Sequence, residues 1–329
     1  MEVYSQTPPT LFPSPSTCVV EILGRDAIKI FNNLSTNNVR DLPVGMSCET
    51  FITNVRGWVV ALGFAIKLSP ERMWFVGQGG DSKAVCQHID RYIINEDATA
   101  KDLSEQFHLY CSPQSYATVH SSLADQSLLA RHFPASNGKS LTSEAATHDP
   151  AVTQAITLDS ADLGTSSTWL LLPNRLSAEY LAQAEWYDFF RISCFWPLPQ
   201  REILEKTIPQ ELDRDSHAIC FTKGCYLGQE TIARLDAIGS LQRKLCLLEL
   251  SIPLDGQRTE EFQRTEEFQC AEILSEGDKV VGQLTSTASW GHQHLALAFL
   301  RRGFFESQTR LTLRNGTVAT VQSIAFSKL

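Results

Sequence analysis

Short apolar runs broken by glycine, proline and polar turns carry most of this chain, and their periods predict its elements. Cys18 to Leu23 reads as a strand. Gly24-Arg25-Asp26 then opens a helix whose apolar face is Ala27, Ile28, Ile30, Phe31 and Leu34. Ser47 to Thr53 and Trp58 to Leu68 read as two strands joined by a hairpin turn at Asn54-Val55-Arg56-Gly57. Met73 to Val76 is a further strand, ended by Gly77-Gln78-Gly79-Gly80-Asp81. Ser82 to Ile94 comes next with helical spacing, Val85, Ile89 and Tyr92 facing inward. Helices against an antiparallel sheet, an α+β arrangement, fit this order.

The middle of the chain is less regular. Residues 134–168 are rich in Ser, Thr, Ala and Asp and read as long loops around a short strand near Val152 to Leu158. Trp169 to Leu172 is a strand, and Ser177 to Phe190 a helix carrying Tyr180, Trp186, Tyr187, Phe189 and Phe190. Such a stripe reads as core rather than a cofactor box. From about residue 240 the pattern becomes all-β. Leu245–Leu250, Ala271–Leu274, Lys279–Leu284, Leu295–Leu300, Thr309–Leu313 and Thr317–Ile324 are short strands of a barrel or sandwich. Within it Gln257–Phe262 is repeated at once as Gln263–Phe268, a six-residue duplication suited to an exposed loop.

Composition narrows the class. The 329 residues are 43% hydrophobic and 20% charged, an ordinary globular balance with length for two or three domains. A net charge of -9 argues against a general nucleic-acid surface. The nine cysteines are odd in number and none has C-x-x-C spacing, which argues against a disulfide framework or a zinc ribbon. Reduced thiols in a cytoplasm fit best. Met1 to Ser16 is rich in Pro, Ser and Thr and reads as a disordered arm without a signal or Arg-rich transit pattern. No apolar run reaches membrane-spanning length.

The densest chemistry is Lys223-Gly224-Cys225-Tyr226-Leu227-Gly228-Gln229-Glu230. It reads as a polar loop between a short strand, Ile219-Cys220-Phe221, and a helix or strand beginning at Thr231. A thiol reacts as its thiolate, and a neighbouring cation favours that form. Cys225 is therefore a reactive centre, a cluster-contacting ligand or a packing residue. Lys223 either lowers the thiol's pKa, binds a carboxylate, or is a solvated charge. Gln229 and Glu230 either bond a ligand or cap the next element. Gly224 and Gly228 read as conformational. Arg234 and Arg243 have the fork to pair with a carboxylate. Gly77–Asp81 precedes a helix but lacks phosphate-loop spacing, so an ordinary turn is the better reading. His292 and His294 would share one strand face, with no third metal ligand in view.

The octapeptide resembles the K-G-C-[aromatic]-x-G-Q-E signature of the YgfZ family of folate-binding proteins, relatives of the glycine-cleavage aminomethyltransferase. Leu23–Asp26 with Leu34-Ser35-Thr36-Asn37, Ile208–Glu211, Val281–Ser286 and Ala296–Arg301 are similar to other family segments. The resemblance implies two α+β domains with antiparallel sheets and a C-terminal β-barrel, a GcvT-like ring around a central folate channel. We assign residues 1–16 to the arm, 17–112 to domain 1, 113–238 to domain 2 with the signature, and 239–329 to the barrel. It further implies tetrahydrofolate as ligand and no stable metal. The implied role is in assembly or repair of iron–sulfur clusters. Partners would be cluster-assembly proteins or client enzymes such as tRNA-modifying radical enzymes, with no direct nucleic acid and no membrane. On this reading Cys225 and Lys223 are the working groups. Gly224, Tyr226, Gly228, Gln229, Glu230, Arg191 and Arg234 line the folate.

Two departures bear on activity. Aminomethyltransferases carry an Asp on the hairpin strand, where Gly57–Leu62 here has no carboxylate. They also carry R-[hydrophobic]-E-x-G, whose Glu holds the pterin; here Ser193 and Phe195 replace the Glu and the Gly. A folate-binding factor is thus expected before an active transferase. A folate-dependent one-carbon transferase or demethylase is the first alternative. An interaction protein that has lost folate binding is the second.

Overall fold

A computed structural model describes residues 11–113, 131–134, 156–159, 168–176, 181, 186–239, 241–254, 271–275 and 277–323. The tandem repeat at 257–268 lies outside these residues.

The first sheet has the order β3-β4-β5-β2-β6 and is antiparallel throughout. Its strands are β2 (Thr17–Leu23), β3 (Ser47–Thr53), β4 (Val59–Ser69), β5 (Arg72–Gln78) and β6 (Thr99–Asp102). The alternation read from the sequence sorts the two faces. Cys18, Val20, Ile22, Ala65 and Phe75 pack beneath helices α1 (Ala27–Leu34) and α2 (Ser82–Asp90). Val19, Phe64, Trp74 and Val76 face the centre of the molecule. Helix α2 stops at Asp90, four residues short of the expected Ile94.

The second sheet has the order β1-β7-β10-β9-β8, with β1 at Phe12–Pro13, β7 at His108–Ser112, β8 at Arg131–Pro134, β9 at Ile156–Asp159 and β10 at Thr168–Leu172. All pairs are antiparallel except β8–β9. Two expected boundaries change here. Residues 11–16 are not part of a disordered arm: Phe12 pairs with Cys111, and Leu11 and Phe12 are buried. The cut between 112 and 113 is also displaced, because β7 already belongs to the second sheet. Both errors have one cause: partners about a hundred residues apart decide the pairing, and local composition does not register them.

The third unit is a closed six-stranded barrel, β11-β14-β13-β12-β15-β16. Its strands are β11 (Arg243–Leu250), β12 (Glu272–Leu274), β13 (Val280–Trp290), β14 (Gln293–Arg301), β15 (Arg310–Leu313) and β16 (Val318–Val321). Leu248, Ile273, Val281, Leu284, Leu300 and Val321 are among its filling. β11 pairs with both β14 and β16, which closes the barrel and removes its edges.

The three units meet at an aromatic junction. Helix α3 (Trp186–Ser193) lays Trp186 against Trp290 of β13, ring centroids 4.0 Å apart. Trp196 stacks on Phe64 of the first sheet at 5.8 Å and meets Trp169 of the second edge-on at 4.6 Å. Phe195 is fully buried at φ 52°, a left-handed conformation that costs a non-glycine residue about 1 kcal/mol or more.

Candidate functional site

Residues 214–239 connect the second sheet to the barrel, yet they pack on the first sheet. Helix α4 (Asp215–Ala218) lies against β3. Thr36 and Asn37, just beyond α1, clasp the C-terminal end of α4 and the chain leaving it. Thr36 Oγ1 donates to the Ala218 carbonyl at 2.6 Å, and Asn37 Nδ2 to that of His217 at 2.9 Å. Cys220 N–H donates to the Thr36 carbonyl at 3.0 Å. The clasp takes the His217 and Ala218 carbonyls and the Cys220 N–H, while Ile219 N–H turns back to the Asp215 carbonyl, and Ile219–Phe221 is irregular chain and not the expected strand. The signature therefore sits on the first unit, although its sequence position assigned it to the second.

Lys223 is buried. Its Nζ donates to the carbonyls of Asn32, Ser35 and Asn37, each at 2.7 Å, and lies 5.2 Å from the Tyr226 ring centroid. These carbonyls belong to the last turn of α1 and the chain leaving it, where helix carbonyls lack intrahelical partners and carry partial negative charge. Burial pulls the ammonium down to about 7, while three carbonyl acceptors favour its charged form. Lys223 thus neither is a solvated charge nor has a donor left for a ligand carboxylate.

The other end of the loop is fixed independently. Leu227 N–H donates to the Asn33 carbonyl at 2.8 Å, and Thr53 Oγ1 donates to the Leu227 carbonyl at 2.7 Å. Gly228, at φ 77°, lies so close to the hairpin turn that a Cβ would stand 2.5 Å from the Asn54 carbonyl oxygen. Only glycine fits there. Gly224 is different: its φ is not left-handed and a Cβ would meet nothing within 4 Å, so the conformational role expected of it is absent. Tyr226 is buried, and burial pushes its hydroxyl up to about 12. Gln229 and Glu230 form the first turn of α5 (Gln229–Ile238), whose one buried residue is Ile232. Arg234 is exposed on that helix.

Cys225 stands between these two fixed ends. Of the eight cysteines among the described residues it alone is exposed. Burial raises Cys18, Cys48 and Cys246 to about 12, and Cys111 well above its ordinary value, so these are packing residues. Among the described residues no group of three or more His, Cys, Asp or Glu side chains could hold a metal ion, His292 and His294 included.

The residues expected to meet a folate do not assemble into a pterin-holding set. Arg191 is buried and its donors are committed to protein acceptors. Nε bonds Asp188 at 3.1 Å, Nη1 bonds the Trp196 carbonyl at 3.0 Å and Glu202 at 3.1 Å, and Nη2 bonds Ser286 at 2.7 Å. Arg243 is held by Glu211 through two bonds of 2.7 and 2.9 Å. Ser193 Oγ donates to its own helix at the Phe190 carbonyl, 2.7 Å away. The hairpin strand offers buried apolar side chains, Val59, Ala61 and Leu62, where a transferase needs a carboxylate.

Sequence reading missed the acids that answer these cations. Glu202 is fully buried and accepts from Arg191, Leu198 N–H, Thr285 and Ser286. Glu49 takes Arg214 in a bidentate pair of 2.5 and 2.6 Å. Thr285-Ser286 was visible as a motif, and a glutamate in the apolar stretch after Trp196 was the available signal for its partner.

A cavity of about 230 Å³ lies between Val59–Leu62, the Gly77–Asp81 turn and residues 199–205. Asp81 caps α2 by accepting from Ala84 N–H at 3.1 Å, which puts a carboxylate where a phosphate would have to bind. The turn is an ordinary helix entry.

Two α+β units and a closed barrel, with the signature loop clamped on the first unit, define a protein of the aminomethyltransferase fold class. The glycine cleavage system aminomethyltransferase T of Bartonella henselae superposes with a TM-score of 0.70 at 16% identity, over 98% of this chain and 87% of its own. The GCVT N-terminal domain family matches residues 11–145. A chloroplastic candidate transferase of Arabidopsis thaliana is 24% identical over 299 residues, 86% of this chain and 63% of that protein. The tRNA-modifying protein YgfZ of Colwellia psychrerythraea is 32% identical over 83 residues, a quarter of each chain. The chain thus spans less than two thirds of the length of these two relatives. In sequence it is similar to YgfZ-like and GcvT-like proteins.

Proposed function

We propose that this chain is an accessory protein for assembly or repair of iron–sulfur clusters in client enzymes, tRNA-modifying enzymes among them, and that Cys225 is its working thiol. One observation carries the reading: a loop fixed at both ends presents the one exposed cysteine among the described residues. An inert cysteine does not need such a mount. The tRNA-modifying relative supports the choice of client. An aminomethyl transfer is disfavoured because proton handling needs a placed carboxylate, and Val59–Leu62 supplies none. Family resemblance supports tetrahydrofolate as a ligand. Arg191, Arg243 and Ser193 are bonded within the protein and do not supply the pterin's partners, so the reading gives folate a binding role and no chemical step. A reducing compartment such as the cytoplasm suits a free exposed thiol.

The test is replacement of Cys225 by Ser in cells that depend on this chain, with a cluster-dependent enzyme assayed. The variant is expected to accumulate normally and to lose client activity. Full activity would reduce Cys225 to a surface residue. Tetrahydrofolate titration followed by tryptophan fluorescence settles the ligand independently, since Trp169 and Trp196 lie at the junction of all three units.

A further inference from the structure

The chemistry of a cysteine beside a lysine suggests an ammonium that activates its neighbour. The geometry points to another role, and we infer that Lys223 is a positioning residue that latches the Cys225 loop onto the end of α1. Functional weight for this rests on Cys225 being the working thiol; its test by alkylation does not.

Three arguments converge. First, the ammonium has three donors and three carbonyl acceptors at 2.7 Å, so none remains for the thiol. A compact ammonium suits three converging acceptors, whereas a planar guanidinium does not. Second, the acceptors come from Asn32, Ser35 and Asn37, and the downstream anchors from Asn33, Thr53 and Asn54. Both ends of the loop are thus secured to neighbouring pieces of the first unit, and Gly224–Tyr226 bridges them. Third, the side chains that bear on the ammonium's titration are those of Cys48, Cys220 and Arg40. Cys225 is not among these.

The experiment compares alkylation of Cys225 by neutral iodoacetamide and anionic iodoacetate in the full chain, read by peptide mass spectrometry. A cation beside the thiol accelerates the anionic reagent selectively; a latch does not. In Lys223→Met both rates are expected to rise several-fold together, with their ratio unchanged. Amide exchange protection at Cys220 and Leu227 should fall at the same time. Lys223→Arg should not restore the wild-type rates. A lower iodoacetate-to-iodoacetamide ratio in Lys223→Met would identify Lys223 as a neighbouring activator and overturn the inference. Unchanged rates with unchanged protection at Leu227 would overturn it as well. Should Lys223→Met not fold, Lys223→Gln, which retains two donors without the charge, carries the same ratio test. Client activity enters none of these readouts, so failure of the iron–sulfur reading would leave them interpretable.

Discussion

Lys223 and Arg191 are both cations in sequence contexts that suggest ligand binding, and both are buried with their donors committed to protein. They differ in what they tie together. Lys223 takes backbone carbonyls of one short segment and holds a loop that ends in an exposed thiol. Arg191 takes side chains from two regions, Glu202 of the linker and Ser286 of the barrel, and holds whole units against each other. Backbone acceptors cannot be altered by mutation of their residues, so the lysine's site is specified by the course of α1. The arginine's site depends on Glu202, Asp188 and Ser286 being present together. Motif chemistry therefore named the right side chains and misplaced what they face.

The largest effect is expected at Arg191. Arg191→Met leaves Glu202 buried without its cation, which costs about 3–5 kcal/mol. Urea unfolding should register it, and Arg191→Met with Glu202→Leu should recover part of the loss. A cost below that of Lys223→Met would reverse the comparison, making the loop latch the stronger tie. Next come the two glycines of the signature. Gly228→Ala places a Cβ against Asn54 in a left-handed conformation and should cost roughly 2 kcal/mol or more, whereas Gly224→Ala should stay within about 0.5 kcal/mol. Equal costs would show that the loop is not anchored at Gly228.

A pH-dependent effect, smaller than that at Gly228, concerns Asp215, where α4 begins. Burial, with Asp213 beside it, raises its carboxyl to about 6 from an ordinary 3.8. The folded protein therefore holds a proton that the unfolded chain has released between these values. Stability from this group is complete at the acid end of that window and is lost as pH rises to about 6. Asp215→Asn should therefore stabilise the protein at neutral pH, by at most about 2 kcal/mol after allowing for partial exposure, and much less in mild acid. Thermal melting across this pH range measures it. A gain that does not vary with pH would indicate a packing effect.

Much of the fold was legible because its elements are local and amphipathic. The barrel strands from β11 to β16, the helix α1 and the β3–β4 hairpin all arise from residue alternation and turn chemistry. Strands β1 and β7 were not legible as partners, since Phe12–Pro13 sits among prolines and finds Tyr110 and Cys111 only through tertiary structure. At the candidate site, the need for Gly228 agrees with the sequence reading, while the exposure of Cys225 was not legible there, since the sequence left a buried packing role open. The burial of Lys223 did not show, because a lysine's neighbours in sequence do not reveal which carbonyls a distant helix end will offer. Glu202 was passed over because its partners Arg191 and Ser286 lie on either side of it, the nearer eleven residues away and the farther eighty-four.

The pairing of Phe12 with Cys111 also sets an order of events during synthesis. At about 5–20 residues per second, β1 leaves the ribosome several seconds before β7 exists to receive it. The whole first sheet, β2 to β6, is made in that interval and can close while the strand that precedes it still waits. A protein fused upstream of β1 would be carried at the margin of the second sheet, and its bulk would be felt at the docking of that late pair.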